Sequence, residues 1–250
     1  MNFLVSMNIR GLGAGKKFLV LRDFLLSVNP IIILIQETMH PASISISYFR
    51  KMFPSWYISA TYANGLSGGL IVLWDPVWIM AKTYSCLAGF LMSVQVRGHS
   101  YPINIMNIYA PYRKQDLFWK RLLESEFLDI EHPVIAGDLN FTLNKNEIWG
   151  SGQKLDPLAD FLRNAFLSKN YVDISPDHMF PTWENGRSGD SFIAKRLDRF
   201  IIHVDLIEKL GMPSSTIEKV FISDHRPIVM RWPKRGIRKG YPFKFNRAFL

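Results

Sequence analysis

The apolar residues of this chain recur with two different periods. Short runs rich in β-branched residues occupy 31–35, 70–73, 103–108, 134–136, 200–202 and 228–230, and each has the length and composition of a strand. Segments 90–96 and 101–108 flank Arg97-Gly98-His99-Ser100, a spacing that predicts a hairpin. Other stretches have helical spacing. Phe18, Leu21, Leu25 and Val28 share one face, as do Phe118 with Leu122 and Trp119 with Leu123. The clearest case is Leu158, Phe161, Leu162, Ala165 and Phe166, where Asp156 is the expected N-cap and Pro157 the first helical position. A run such as 31–35, apolar on both faces, needs cover on both sides. The mixed order of strands and helices therefore predicts an α/β (α+β) fold, with two mixed β-sheets packed together and helices outside. Such a four-layered αββα sandwich fits one domain over 1–232. From Pro233 onward the wording PKRGIRKGYP is linker-like, setting 233–250 apart as a basic tail.

Composition narrows the picture only in part. A chain of 250 residues with 48% hydrophobic and 20% charged positions can build a substantial core. The longest apolar stretch, 24–35, is broken by Asn29-Pro30, so no transmembrane helix and no membrane partner are expected. The N-terminal MNFLVSMNIR lacks the apolar segment of a signal peptide. A single cysteine, Cys86, excludes an intramolecular disulfide and fits a reducing compartment, nuclear or cytoplasmic. It is expected to be a core thiol. The net charge of +9 suggests a nucleic-acid footprint. Seven Lys/Arg and no acid lie from Pro227 onward, however, so residues 1–226 account for only +2 of it.

Candidate chemistry sits where apolar runs end. Glu37 follows IIILIQ, Tyr109 follows INIMNI, Asp138 and Asn140 close PVIAGDLN, Asp198 opens LDRFII, and Asp224-His225 precede RPIVM. A carboxylate at a strand end is ordinarily a turn former or a surface charge. Asp198, between Arg196 and Arg199, has plain ion pairing as an alternative, and His225 has the role of a hydrogen-bonded loop histidine. Their accumulation at strand ends points instead to a site on a sheet rim. Gly11-Leu12-Gly13-Ala14-Gly15-Lys16-Lys17 has neither P-loop nor dinucleotide-fingerprint spacing and is expected to be a turn into the first helix. The histidines lack zinc-ligand spacing.

Asn8 in MNIRG, Gln36-Glu37-Thr38, Asn107-Ile108-Tyr109-Ala110-Pro111, Gly137-Asp138-Leu139-Asn140, Arg196-Leu197-Asp198-Arg199 and Ser223-Asp224-His225 stand in one order. That order, over residues 1–232, resembles the endonuclease/exonuclease/phosphatase superfamily. NIRGLG from Asn8, GGLIVLW from Gly68, Pro181-Thr182-Trp183 and RLDRF from Arg196 look like the endonuclease domain of plant LINE-type (non-LTR) retrotransposons. Tyr241-Pro242-Phe243-Lys244-Phe245 resembles the segment leading toward a reverse transcriptase, although no Tyr-x-Asp-Asp motif occurs. Met7 and Ile31 depart from the pattern, standing where relatives usually carry Trp and often carry Asp; both are expected to be packing or surface changes.

The resemblance implies a Mg²⁺-dependent endonuclease, with Mn²⁺ as a substitute, that nicks double-stranded DNA for retrotransposition. A full-length element would add a reverse transcriptase domain. The alternatives are an abasic-site repair nuclease or another phosphoesterase of the superfamily and, in a different class, an inactive DNA-binding relic. By the same resemblance Glu37 binds the metal with help from Asn8, while Asp138 and Asn140 orient and deprotonate water. Tyr109 bonds the scissile phosphate or leaving group, and Asp198 orients His225. Asp224 assists at the metal or His225, and Thr182 and Ser223 contact the phosphate or support the groups that do. The loop 182–195, with Arg187 and Lys195, would enter the minor groove. The general base is either Asp138 or His225. Such chemistry needs a hard cation on a phosphate oxygen and an activated water, which carboxylate and amide oxygens can provide.

Overall fold

The computed structural model describes residues 2–13, 15–61, 63–64, 67–86, 89–151 and 154–233. The basic tail from 234 onward, with its expected linker character, lies outside them.

The fully buried strand Ile32–Gln36 lies inside a six-stranded sheet ordered Ser214–Ile217, Ile228–Arg231, Asn2–Asn8, Ile32–Gln36, Ile71–Trp74, Tyr57–Ala60. A second sheet runs Tyr171–Asp173, Asp198–His203, Pro133–Asp138, Ile103–Tyr109, Gly89–Val96, Ile79–Cys86. Each has one parallel pair near its middle, Asn2–Asn8 with Ile32–Gln36 and Ile103–Tyr109 with Pro133–Asp138, flanked by antiparallel neighbours. A parallel pair delivers two C-terminal ends to the same rim, and an antiparallel neighbour begins there. Asp198 faces Asp138 in register, and Ile228 faces Ser6.

Three apolar clusters fix the layers. Leu4, Ile32, Leu34 and Val72 of the first sheet meet Met92, Val94, Ile105, Val134 and Phe200 of the second. Outside the first sheet, α1 (Lys16–Val28) and α2 (Ala42–Met52) set Leu21, Leu25 and Phe49 against Val5, Ile33 and Ile71. Outside the second, α3 (Gln115–Leu123) and α4 (Ala159–Ser168) set Trp119, Leu122, Leu162 and Phe166 against Ile108, Ile135 and Ile201. The short α5 (Val204–Leu210) contributes Leu206 to the inter-sheet cluster. The αββα layering expected from the sequence is what forms. No helix among the described residues is long and apolar enough to cross a membrane.

A buried polar bridge near the rim crosses between the sheets. Asn107 Nδ2 donates to the carbonyls of Ile35 and Ile71 at 3.2 and 3.1 Å, and its Oδ1 accepts from Gln36 Nε2 at 2.6 Å. These groups are buried and hold two rim strands at fixed separation, since an unpaired amide there would be costly. Gly137 allows the other close approach. At φ 136 it lies where a Cβ would fall 1.9 Å from the Ile108 carbonyl oxygen, so only glycine fits just before Asp138.

The hairpin forms between Gly89–Val96 and Ile103–Tyr109, and Ile79–Cys86 joins it as an unanticipated edge strand. Several details differ from expectation. The helix near Asp156 starts at Ala159, because the Asp156 carboxylate caps a preceding turn by accepting from Leu158 N at 2.9 Å. Cys86 is half-buried at the end of the edge strand, its thiol donating to Gly89 O at 3.4 Å, and is not a core thiol. Met7 and Ile31 are both buried and pack in the clusters on either face of the first sheet.

Candidate active site

The topology explains why the sequence-predicted residues meet. Asn8, Tyr109 and Asp138 are the last residues of their strands, Glu37 follows one directly, and Asp198 opens its strand at the same rim. The turn Ser223-Asp224-His225 leads into Ile228–Arg231 beside Asn8.

At the centre is a continuous polar chain. His225 Nδ1 lies 2.9 Å from Asp198 Oδ2, and Nε2 lies 3.6 Å from Asp138 Oδ2. Asp138 Oδ2 also accepts from Asn8 Nδ2 at 3.0 Å, and Oδ1 accepts from the Asn140 backbone N–H at 3.1 Å. A carboxylate only accepts, so the Asp198 contact requires a proton on Nδ1, and it turns Nε2 toward Asp138. Relative exposures of 2% for Asp138, 1% for Asp198 and 6% for His225 show that these rim side chains are buried beneath loops.

Burial sets their proton affinities. It pushes Asp138 up to about 7, with the Asp198 charge adding to the rise and His225, Asn8 and the Asn140 amide opposing it. Burial alone would lower His225, but the Asp198 and Asp138 carboxylates outweigh it and raise the imidazole to about 9. Tyr109 is held well above the ordinary tyrosine range, first by burial and then by its hydrogen bond to Glu37.

The supporting groups are equally specific. Glu37 is half-buried and takes the left-handed conformation (φ 52), and its carbonyl accepts from Gly11 N at 2.7 Å. Asn140, also left-handed, donates Nδ2 to Ala110 O at 2.6 Å, which ties the Asp138 turn to the Tyr109 strand. Ser223 Oγ donates to Asn8 O at 2.6 Å and accepts from His225 N at 2.9 Å, so it joins two members of the chain.

Thr182 is fully buried. Its hydroxyl accepts from the amides of Leu197 and Asp198 at 2.8 and 3.0 Å. Of the two roles expected for Thr182, these bonds correspond to support of a site residue, since they anchor Asp198. The alternative in which Asp198 merely pairs with its neighbouring arginines also fails. Arg196 and Arg199 turn instead to Glu147 and Asp173 in a buried four-residue ion cluster with contacts of 2.6–2.8 Å. The segment 182–195 is a hairpin, Trp183–Glu184 pairing with Ile193–Lys195, which in turn pairs with Ile148–Gly150. Arg187 is exposed near the hairpin tip and Lys195 is half-buried at its base. Asp224 does not contact His225 through its carboxylate. Its Oδ2 pairs with Arg10 and accepts from Trp183 Nε1 at 3.1 Å. Arg10 and Trp183 lie in quoted motifs, but no site role for either can be read from the sequence, because nothing local marks a partner more than 40 residues away.

No family model matches the chain. An uncharacterized 149 kDa protein of transposon TX1 from Xenopus laevis is 28% identical over 177 residues, which is 66% of this chain but 13% of that protein. The chain thus spans a small part of this relative's length. Among solved structures, the endonuclease domain of TRAS1, a telomere-specific non-LTR retrotransposon, superposes with a TM-score of 0.68 at 16% identity, covering 93% of this chain and 99% of that one. The AP endonuclease LMAP of Leishmania major gives 0.71 at 16% identity over 93% and 87% of the two chains. The 3′ phosphatase NExo of Neisseria, bound to product DNA, gives 0.68 at 14% over 94% and 100%. These superpositions show that this chain has the fold of endonuclease domains of the endonuclease/exonuclease/phosphatase superfamily.

Proposed function

We propose that this chain is a divalent-metal-dependent endonuclease that hydrolyses phosphodiester bonds of double-stranded DNA, as the nicking domain of a non-LTR retrotransposon. The observation that carries the reading is the buried chain Asp198–His225–Asp138–Asn8 standing beside Glu37 and Tyr109 on one rim. The transposon relative and the retrotransposon endonuclease fold support the choice of DNA and of element.

The residues present suit a hard cation. Glu37 offers a half-buried carboxylate, the Asn8 amide oxygen belongs to the neighbouring strand, and the donors are oxygens, as Mg²⁺ prefers. Ligand atoms of Asp138, Asp198 and His225 also lie within 4.8 Å of one another. That trio is already joined by its own hydrogen bond and includes a nitrogen donor, so Glu37 with Asn8 is the better seat for Mg²⁺, with Mn²⁺ as a substitute. Bound there, the ion would polarise a phosphate oxygen and neutralise developing charge.

The protein groups do the rest. Asp138, gripped on both oxygens by Asn8 and the Asn140 amide, is aimed to take the proton of the attacking water. His225, oriented by Asp198, presents Nε2 as a donor to a phosphate oxygen. Tyr109, kept protonated by burial, donates to Glu37 and would turn that hydroxyl to the leaving oxygen when Glu37 holds the ion. Thr182 and Ser223 hold Asp198 and His225 in place.

The likeness to AP endonucleases favours one competing substrate, a duplex containing an abasic site. The test is nicking of supercoiled plasmid beside cleavage of an abasic oligonucleotide, with Mg²⁺ and with EDTA. Mg²⁺-dependent nicking of intact plasmid is expected. Cleavage confined to the abasic strand would transfer the assignment to repair, and nicking that persists in EDTA would refute the metal mechanism.

A further inference from the structure

Three segments distant in sequence converge on one carboxylate oxygen outside the Asp198–His225–Asp138 chain. Asp224 Oδ2 accepts from Trp183 Nε1 and from Arg10 Nη1, while Asp224 Oδ1 is buried without a hydrogen-bond partner among the described residues. The two partners differ in exposure, 59% for the Arg10 side chain against 21% for Asp224.

The backbone that carries Arg10 is pinned on every side. Asn8 Oδ1 accepts from Arg10 N at 3.0 Å, Glu37 O accepts from Gly11 N at 2.7 Å, and Lys17 Nζ donates to the carbonyls of Ile9 and Gly11 at 2.5 and 2.7 Å. Arg10 itself is left-handed at φ 43, a conformation unfavourable for a residue with a Cβ. Four anchors therefore hold this conformation in place. Two of those anchors, Asn8 and Glu37, belong to the candidate site itself.

Charge supplies a reason for the display. Glu37, Asp138, Asp198 and Asp224 crowd this rim, so an approaching polyanionic strand meets repulsion. The Lys17 ammonium is committed to two carbonyls. Arg10 uses only Nη1 on Asp224 among the described residues, which leaves Nε and Nη2 for an oxyanion, and a guanidinium fork matches phosphate geometry. It also lies near enough to Tyr109 for its charge to act on that hydroxyl.

We infer that Arg10 is a substrate-binding residue whose guanidinium grips a non-bridging phosphate oxygen of the DNA strand at the entrance of the site. Asp224, anchored by Trp183, holds the side chain in position until the strand arrives, and so acts as a positioning residue. Because Trp183 opens the 182–195 hairpin, the same carboxylate couples the arginine to the element expected to touch DNA. This inference rests on the nuclease reading above and adds a residue to it.

The test compares the full chain with Arg10→Met and Arg10→Lys. Binding of a fluorescein-labelled mixed-sequence duplex is followed by anisotropy in EDTA across a KCl series, and nicking of supercoiled plasmid is followed in Mg²⁺. Arg10→Met is expected to weaken Kd about tenfold, the scale of one charge-assisted hydrogen bond. It should also make the slope of log K against log salt shallower by about 0.9. KM should rise with Kd while kcat stays within about twofold, and Arg10→Lys should restore the slope but only part of the affinity, because an ammonium keeps the charge and lacks the fork. Thermal melting should change little, because the Arg10 side of the pair is exposed and Trp183 Nε1 still donates to Asp224. Unaltered Kd and slope in Arg10→Met would overturn the inference, and so would a loss confined to kcat. A wild-type chain that binds the duplex without nicking it would sink the nuclease reading and leave Arg10 to be judged by the binding data. A chain that binds no duplex would overturn both.

Discussion

Replacing Asp198 with asparagine keeps the side chain's shape and removes one charge from the buried pair on which His225 depends. Asp198 Oδ2 lies 2.9 Å from His225 Nδ1, and the Asp198 and Asp138 carboxylates together overcome burial to raise the imidazole from 6.5 to about 9. Each tenfold change in proton affinity is about 1.4 kcal/mol, so the imidazolium is favoured by about 3 kcal/mol. The folded chain thus holds this proton more tightly than the unfolded chain does. The stability it contributes is fully present below pH 6.5 and is lost as the pH rises through about 9. In Asp198→Asn the opposing effect of burial is answered only by Asp138 and, more weakly, by Asp224. His225 should then titrate well below 9, and the melting temperature of the metal-free protein should lose much of its fall between pH 6.5 and 9. Nicking near neutrality should slow by roughly 100-fold or more, because the imidazole loses both the charge that Asp198 favours and its aim. The assays are an NMR titration of the ¹⁵N-labelled imidazole, thermal melts across that pH range, and nicking kinetics. His225 still titrating near 9 in the variant, with the pH dependence of melting intact, would refute the assignment of Asp198 as the group that charges and orients it.

Two further substitutions probe the scaffold. Gly137→Ala places a Cβ 1.9 Å from the Ile108 carbonyl oxygen at a backbone φ of 136, so the central parallel pair must separate. A loss of about 3 kcal/mol or more is expected in urea unfolding, and wild-type stability would contradict the close approach. Thr182→Val keeps the volume and removes the acceptor for the Leu197 and Asp198 amides. It should cost about 1–3 kcal/mol and slow nicking without changing DNA affinity. Weakened DNA binding with normal turnover would instead restore the expected phosphate contact.

Much of the architecture was legible because burial writes itself into the sequence at two periods. Strands 32–36 and 71–74 are apolar on nearly every position, as two-sided cover requires, and 103–109 departs from this only at Asn104 and Asn107 and its final Tyr109. What escaped were elements whose buried face is not apolar. In Asn2–Asn8 the buried Ser6 and Asn8 interrupt the pattern because they join the Gln36 and Asp138 networks. In Ile79–Cys86 and Ser214–Ile217, small or hydroxylated residues take inward positions on edge strands. In α2, serines dilute a face made by Ser45, Phe49 and Met52.

The site divides in the same way. Residues at strand ends could be found because a strand has a visible end, and Glu37, Asp138, Asp198 and His225 all meet this condition. Glu147 and Asp173, the partners of Arg196 and Arg199, could not be found, since pairing 49 and 23 residues away leaves no local trace. Arg10, Lys17 and Trp183 were hidden for the same reason. Their partners are set by how three loops fold over the rim, and no periodicity records that.

The most direct measurement is single-turnover nicking of supercoiled plasmid by the wild-type chain and by Asp138→Asn, side by side in Mg²⁺ and with duplex affinity measured on both. Asp138→Asn keeps the acceptor for the Asn140 amide and removes the base, so it should bind DNA at least as well and nick roughly 100-fold more slowly or worse. Equal nicking rates for the two proteins would contradict the assignment of Asp138 as the group that activates water.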